Sequence, residues 1–201
     1  MVLSESAVCR LIRKVERLLM DSGQFRLPGK KQLYQQVEPC QVIVVDVTES
    51  PIERPKKSRE HTTVKKHHTL KSQVAVNQAT GEIICTAFGK GTIHDFRLFK
   101  LSRLPMLPEQ LCLADKGYQG LGKLHPSSCL PTKKPRQGKL NQDERQHDRC
   151  LARLRIVVEH VNRRLKIFRI LAERYRNRRK RFGLRFNLIS AILNFELATH
   201  S

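Results

Sequence analysis

No apolar run in this chain approaches the roughly 18 residues that a membrane span requires. The first residues, Met1 to Ser6, lack the charged-then-apolar pattern of a secretion signal. No two of the six cysteines (Cys9, Cys40, Cys85, Cys112, Cys129, Cys150) lie within five positions of each other, which excludes the paired spacing of a zinc knuckle. Without a secretion signal these thiols are expected to be free, with Cys85 and Cys112 buried as small apolar groups in strand-like runs. There is no internal repeat. Negative charge is also scarce: 18 acids face 39 lysines and arginines, for a net charge of +21. Such a field selects a polyanionic partner. With no membrane segment to anchor the chain, nucleic acid is the expected partner and the cytoplasm, in association with the nucleoid, the expected location.

What is present is enough apolar material, 39% of 201 residues, for a core in one domain plus a short appendage. Residues 3–20 read as a helix capped by Ser4 or Ser6, with Val8, Leu11, Ile12, Val15, Leu18 and Leu19 at helical spacing. Ser22 and Gly23 end it, and residues 27–30 read as linker. Residues 41–47 form a near-continuous apolar strand. Residues 70–77 and 82–88 form a hairpin around the turn at residues 79–81. A short helix opens at His94-Asp95 and closes near Pro105. A buried strand spans residues 110–115, and an edge strand at residues 128–131 stops at Pro131. Residues 133–139 read as a basic loop and residues 141–168 as one long helix or two joined ones. After a cationic run at residues 174–181, an amphipathic helix covers residues 182–197. The class is α/β or α+β around a mixed sheet.

Three carboxylates stand out. Asp46 ends the apolar run 42–45, and Asp115 ends the run 111–114, with Gly117 allowing a tight turn just after it. An acid at such a position often only caps a turn. Its repetition at two strand ends, where α/β sites are usually built, favours chemistry. Glu159 lies in the Arg-rich helix, four residues after Arg155 and seven before Lys166, so the three share a face. An Arg155–Glu159 surface pair is the simpler reading; the neighbouring Ile156, Val157 and Val158 indicate a partly buried helix instead. Acids of this kind can hold two divalent cations that activate water toward a phosphodiester. The run at residues 174–181 holds six basic residues in eight and reads as a phosphate track, with Tyr175 and Phe182 as candidates to stack on bases, although Phe182 fits better in the core.

Five stretches carry a family resemblance: residues 44–55 (VVDVTESPIERP), 65–71 (KKHHTLK), 91–95 (GTIHD), 113–120 (LADKGYQG) and 155–161 (RIVVEHV). In this order they resemble the DDE transposases of bacterial insertion sequences, of the type called insertion sequence family five. The resemblance runs from about residue 24 to residue 198. It implies an α/β fold with a ribonuclease H-like mixed sheet flanked by helices. It also implies Asp46, Asp115 and Glu159 as catalytic and metal-binding residues, and two Mg²⁺ ions, with Mn²⁺ as a substitute. The expected reaction is phosphodiester hydrolysis at element ends followed by strand transfer into target DNA, by a possible homodimer in the DNA complex.

The family pattern Tyr-x2-Arg-x3-Glu-x6-Lys is matched by Arg155, Glu159 and Lys166, with Ala152 in place of the Tyr. The pattern Gly-x-x-His-Asp makes His94 and Asp95 supporting contacts beside the triad. Expected DNA contacts are Lys65, Lys66, Lys71, Arg155, Arg163, Lys166, Arg176, Arg178, Arg179 and Arg181. Residues 1–23 read as the remnant of a helix-turn-helix domain, 24–40 as linker and 41–201 as the catalytic domain. Two rival readings remain: a host-adapted nuclease of the same fold, and an inactive DNA-binding fragment.

Overall fold

The computed structural model describes residues 4–34, 42–53, 68–133, 139–177 and 179–200. The first helix, α1 (Glu5–Asp21), begins where the Ser4 hydroxyl accepts the Ala7 amide at 3.3 Å. Strand β1 (Val42–Pro51) pairs antiparallel with β2 (Thr69–Asn77), which pairs antiparallel with β3 (Ile83–Lys90). Helix α2 (Asp95–Ser102) crosses to β4 (Leu111–Leu113), and β5 (Ser128–Cys129) follows. Both β4 and β5 run parallel to β1, giving the order β3-β2-β1-β4-β5. This mixed five-stranded sheet has the ribonuclease H-like arrangement. Three helices complete the fold: α3 (Gln142–Ile167), the single turn α4 (Arg169–Ala172) and α5 (Phe182–His200).

Each face of the sheet is covered. On one, Val44, Val74, Val76 and Leu113 pack against Leu151, Val158, Val161 and Leu165 of α3 and Phe186, Ile189 and Leu193 of α5. On the other, Ile43, Val45, Cys112 and Ala114 meet Phe99 of α2, Tyr118 and Leu121. Period-two alternation along β1 therefore decides what Asp46 sees: it shares the Val44 face, toward α3. The long helix is one piece, Gln142–Ile167, with Asn141 and Phe168 as its caps. A capping box, Asn141 with Glu144, starts it, and buried residues recur at 151, 158, 161 and 165. The chain breaks at Phe168, whose backbone is extended.

One expectation is corrected here. Asp46 does not end a strand: β1 continues through Thr48, Glu49 and Ser50, which pair with Ser72, Lys71 and Leu70 of β2. The apolar side chains of α1 do not enter the core; Val8, Leu11, Ile12, Val15 and Leu18 are 38–59% exposed. The residue α1 buries is Glu16, only 7% exposed, which pairs with Arg181 at 2.9 Å and Arg185 at 2.5 Å. The described cysteines are free, and burial pushes the Cys85 and Cys112 thiols up to about 11 and about 12. Cys40 lies outside the described residues. Among those described, no helix is long and apolar enough to cross a membrane.

Candidate active site at the rim of β1 and β4

The last parallel pair between β1 and β4 is Val44 with Leu113. Asp46 and Asp115 each lie two residues beyond it, Asp46 still within β1 and Asp115 in the turn that follows β4. Sheet hydrogen bonding stops there because the chain after Ala114 turns into a short 3₁₀ segment, Lys116–Tyr118. Asp115 caps that turn, its Oδ1 accepting the Gly117 amide at 2.8 Å.

Asp95 joins them from the start of α2. A Cβ added at Gly117 would sit 2.9 Å from Asp95 Oδ2 and 3.0 Å from Asp115 Oδ1, so the two carboxylates flank one backbone position. Asp95 does not cap its helix. Its Oδ1 accepts from Lys71 Nζ at 2.7 Å, and Lys71 also lies 3.8 Å from Glu49. His94, the preceding residue, is exposed and contributes backbone, its carbonyl accepting the Leu98 amide at 2.9 Å.

Burial pushes the Asp46 carboxyl up to about 6. The Val47 amide and Arg155 act against this, while Asp115 and Asp95 add to it. The Tyr118 hydroxyl is raised well above its usual range, chiefly by burial and then by Asp46, Asp95 and Asp115. Asp46, Asp95 and Asp115 thus form a local group of acids inside a chain that is strongly positive overall.

Helix α3 closes the site from above. Asn162 Nδ2 donates to Asp46 Oδ2 at 2.8 Å, and Arg155 approaches Asp46 Oδ1 at 3.9 Å. Glu159 lies between them on the same stripe, one turn from each, with its side chain exposed. Lys166, one turn beyond Asn162, donates to the carbonyls of Glu49 and, at 3.2 Å, of Leu171. Burial lowers its pKa, and Glu49 opposes that.

Several cations expected to meet phosphate are engaged by the protein. Lys71 is 12% exposed and held by Asp95 and Glu49. Lys166 braces the end of β1 against α4. Arg181 is committed to Glu16. By contrast, Arg163, Arg176 and Arg179 are exposed, and their guanidinium groups have no partner among the described residues. Arg176 also lines an open cleft of about 320 Å³ with Arg169, Arg174 and Arg185. Lys65, Lys66 and Arg178 lie outside the described residues. Neither aromatic of the cationic run can stack on a base: Tyr175 and Phe182 are buried, ring against ring at 5.2 Å, and the Tyr175 hydroxyl donates to the Lys180 carbonyl at 2.6 Å.

Sequence reasoning missed Asn162 and Tyr118. Asn162 could have been found, because it stands seven residues after Arg155 on the stripe that carries Glu159. Tyr118 gave only a weak signal, as an aromatic one turn after Asp115.

A family model described as DDE superfamily endonuclease matches residues 45–194, which run from β1 to α5 and include Asp46, Asp115 and Glu159. The chain is also 55% identical over 198 residues to a probable transposase for insertion sequence element IS702 from Microchaete diplosiphon. That match covers 98% of this chain and 72% of the relative. No solved structure matches the chain. Three-quarters of the sequence falling within one family and more than half of its residues shared with a transposase place it: this chain belongs to the DDE superfamily endonucleases, among the transposases of insertion sequences.

Proposed function

We propose that Asp46, Asp115 and Glu159 form the metal-binding triad of a DNA transposase that cuts phosphodiesters at element ends and joins the freed ends to target DNA. The observation that carries this reading is that Asp46 and Asp115 each stand two residues past the last β1–β4 rung, with Asp46 held from the α3 stripe on which Glu159 lies. The donor chemistry fits a hard divalent cation, which takes oxygen ligands. Buried Tyr118 Oη and Asn162 Oδ1 also have no hydrogen-bond partner among the described residues, an unsatisfied polarity consistent with a site built for a further ligand. As the side chains stand, no three Asp, Glu, His or Cys among the described residues make a group able to hold a metal. Glu159, exposed and on the Asp46-facing stripe, supplies the third carboxylate on this reading.

Asp46, Asp115 and Glu159 would hold Mg²⁺, with Mn²⁺ as a substitute, and the metal when bound would supply Lewis acidity toward the attacking and leaving oxygens. The chain's own residues do the rest. Asn162 fixes the orientation of the Asp46 carboxylate, and Arg155 balances its charge. Lys71 holds Asp95 at the edge of the acid cluster, and Lys166 keeps the end of β1 in register with α3. Arg163, Arg176 and Arg179 hold the DNA backbone. On this reading the exposed Arg10, Arg13, Lys14 and Arg17 of α1 belong to the DNA-binding portion, and a homodimer brings two element ends together.

The test is incubation of a labelled duplex carrying the element's ends with Mg²⁺, read for both cleavage and joining to a plasmid. Cleavage with joining supports the transposase. Cleavage without joining indicates the host-adapted nuclease. Binding without cleavage in any divalent ion indicates the inactive fragment. A second prediction concerns Gly117→Ala. The added methyl would displace the Asp95 and Asp115 carboxylates, so cleavage should fall by about tenfold or more, since misplacement near 1 Å can cost about a hundredfold. The backbone there needs no positive φ, so thermal melting should move by only a few degrees, which a melting curve beside the cleavage rate would check.

A further inference from the structure

The N-terminal half of α3 carries an arginine ridge that the active site does not use. Arg145, Arg149 and Arg153 stand four residues apart, all exposed, with Gln142 and Gln146 beside them. A trough of about 610 Å³ runs along this face, and its walls among the described residues are side chains of α3. Like charges at i, i+4 destabilise a helix. Ordinarily an acid at i±3 or i±4 relieves them. The one acid so placed, Asp148, accepts the Thr132 amide at 2.8 Å and lies 3.5 Å from His147. Glu144 is spent on the capping box. No guanidinium of the three has a partner among the described residues. The helix thus keeps three uncompensated cations in a row, a pattern that calls for an external polyanion.

We infer that this ridge is a second DNA-binding surface, gripping the phosphate backbone of duplex DNA outside the cleaved site. The inference rests on the DNA reading proposed above. Three arginines spread over about 12 Å of helix match three to four phosphates of one strand, which follow one another every 3.4 Å or so along the duplex axis. The ridge lies roughly 110° around α3 from the stripe of Arg155, Glu159, Asn162 and Lys166, at about 100° per residue. It faces away from the buried residues 151, 158, 161 and 165. DNA seated in the active site and DNA on the ridge therefore occupy neighbouring sides of one helix. The glutamine amides can donate to phosphate oxygens between the arginines. Contacts of this kind carry no sequence preference.

The test uses the full chain and a labelled duplex of arbitrary sequence, titrated in Ca²⁺ at several salt concentrations. Neutralising the ridge with Arg145→Gln, Arg149→Gln and Arg153→Gln together should lower the log–log salt slope by about 2.7, at about 0.9 per lost phosphate contact. It should also weaken binding more than tenfold at low salt. The triple Arg→Lys variant should keep the wild-type slope, because it keeps the charge. A glutamine variant with an unchanged slope, alongside a wild type that binds, would overturn the ridge and leave the catalytic reading standing. A wild type that binds no DNA would overturn both. Should the glutamine variant not fold, alkylation of Cys150 decides. This exposed thiol lines the ridge, and bound duplex should slow its reaction several-fold. No protection by DNA, or equal protection by polyglutamate, would assign the ridge to solvent or to an acidic protein and end the proposal.

Discussion

Asp115→Asn is expected to abolish divalent-metal-dependent cleavage, by about a thousandfold or more, while leaving DNA affinity equal or slightly higher. The size follows from losing several kcal/mol of charge stabilisation when a metal ligand is removed. The fold should survive, because an amide oxygen can still accept the Gly117 amide as Asp115 Oδ1 does at 2.8 Å. Removing one negative charge from a site that faces phosphate relieves repulsion, hence the unchanged or tighter binding. Cleavage of a labelled duplex in Mg²⁺, beside a binding titration in Ca²⁺, reads both arms. Cleavage at the wild-type rate would show that Asp115 is not a metal ligand and would turn attention to Asp95, which shares the Gly117 position with it.

The second large effect is on stability and has a definite pH window. Asp46 ionises near 6 in the folded protein against an ordinary value of 3.8, mainly because it is buried. A carboxyl raised in this way binds its proton more tightly in the folded state. Below about pH 4 it costs the fold nothing. Between there and pH 6 the unfolded chain ionises first, and stability is lost as the pH rises. Above pH 6 the loss is complete, on the order of 2–3 kcal/mol. Asp46→Asn removes that loss while keeping an acceptor for Asn162. The metal-free variant should therefore melt at the same temperature as wild type near pH 4 and several degrees higher at pH 7 to 8. Divalent cations should stabilise wild type at neutral pH and not the variant. A melting difference that does not change with pH would show that the ionisation of Asp46 is not opposed by its surroundings.

The comparison of sequence with structure separates local signals from distant ones. The apolar run before Asp46, the hairpin of β2 and β3, the α3 periodicity and the Gly117 turn were legible because each is written within a few residues. The full length of β1 was not. The strand read from the sequence stops at residue 47, and Thr48, Glu49 and Ser50 extend it because Ser72, Lys71 and Leu70 pair with them. The same limit applied to cations. Lys71 and Lys166 look like surface charges until the fold brings Asp95 and the Glu49 carbonyl to them. Arg181 reads as part of a phosphate track, yet its partner Glu16 lies 165 positions away. The site was half legible. The repeated strand-end pattern pointed to Asp46 and Asp115, and helical spacing put Glu159 with Arg155. The place of Asn162 on that stripe is written locally, but its partner Asp46 lies 116 positions away. In α1 the period was read correctly, but periodicity alone does not say which residues meet the rest of the protein: Val8, Leu11, Ile12, Val15 and Leu18 stay exposed, and the residue that is buried is Glu16.

The central claim is that Asp46, Asp115 and Glu159 jointly hold divalent cations. Anomalous diffraction from crystals grown with Mn²⁺ tests it most directly. The expected map has a peak between the Asp46 and Asp115 carboxylates and a second about 3.5–4 Å away. An oxygen of Glu159 should be among the ligands, and both peaks should vanish in Asp115→Asn. A well-ordered map with no peak at this rim, or with Mn²⁺ on Asp95 while Glu159 stays turned to solvent, would contradict the account.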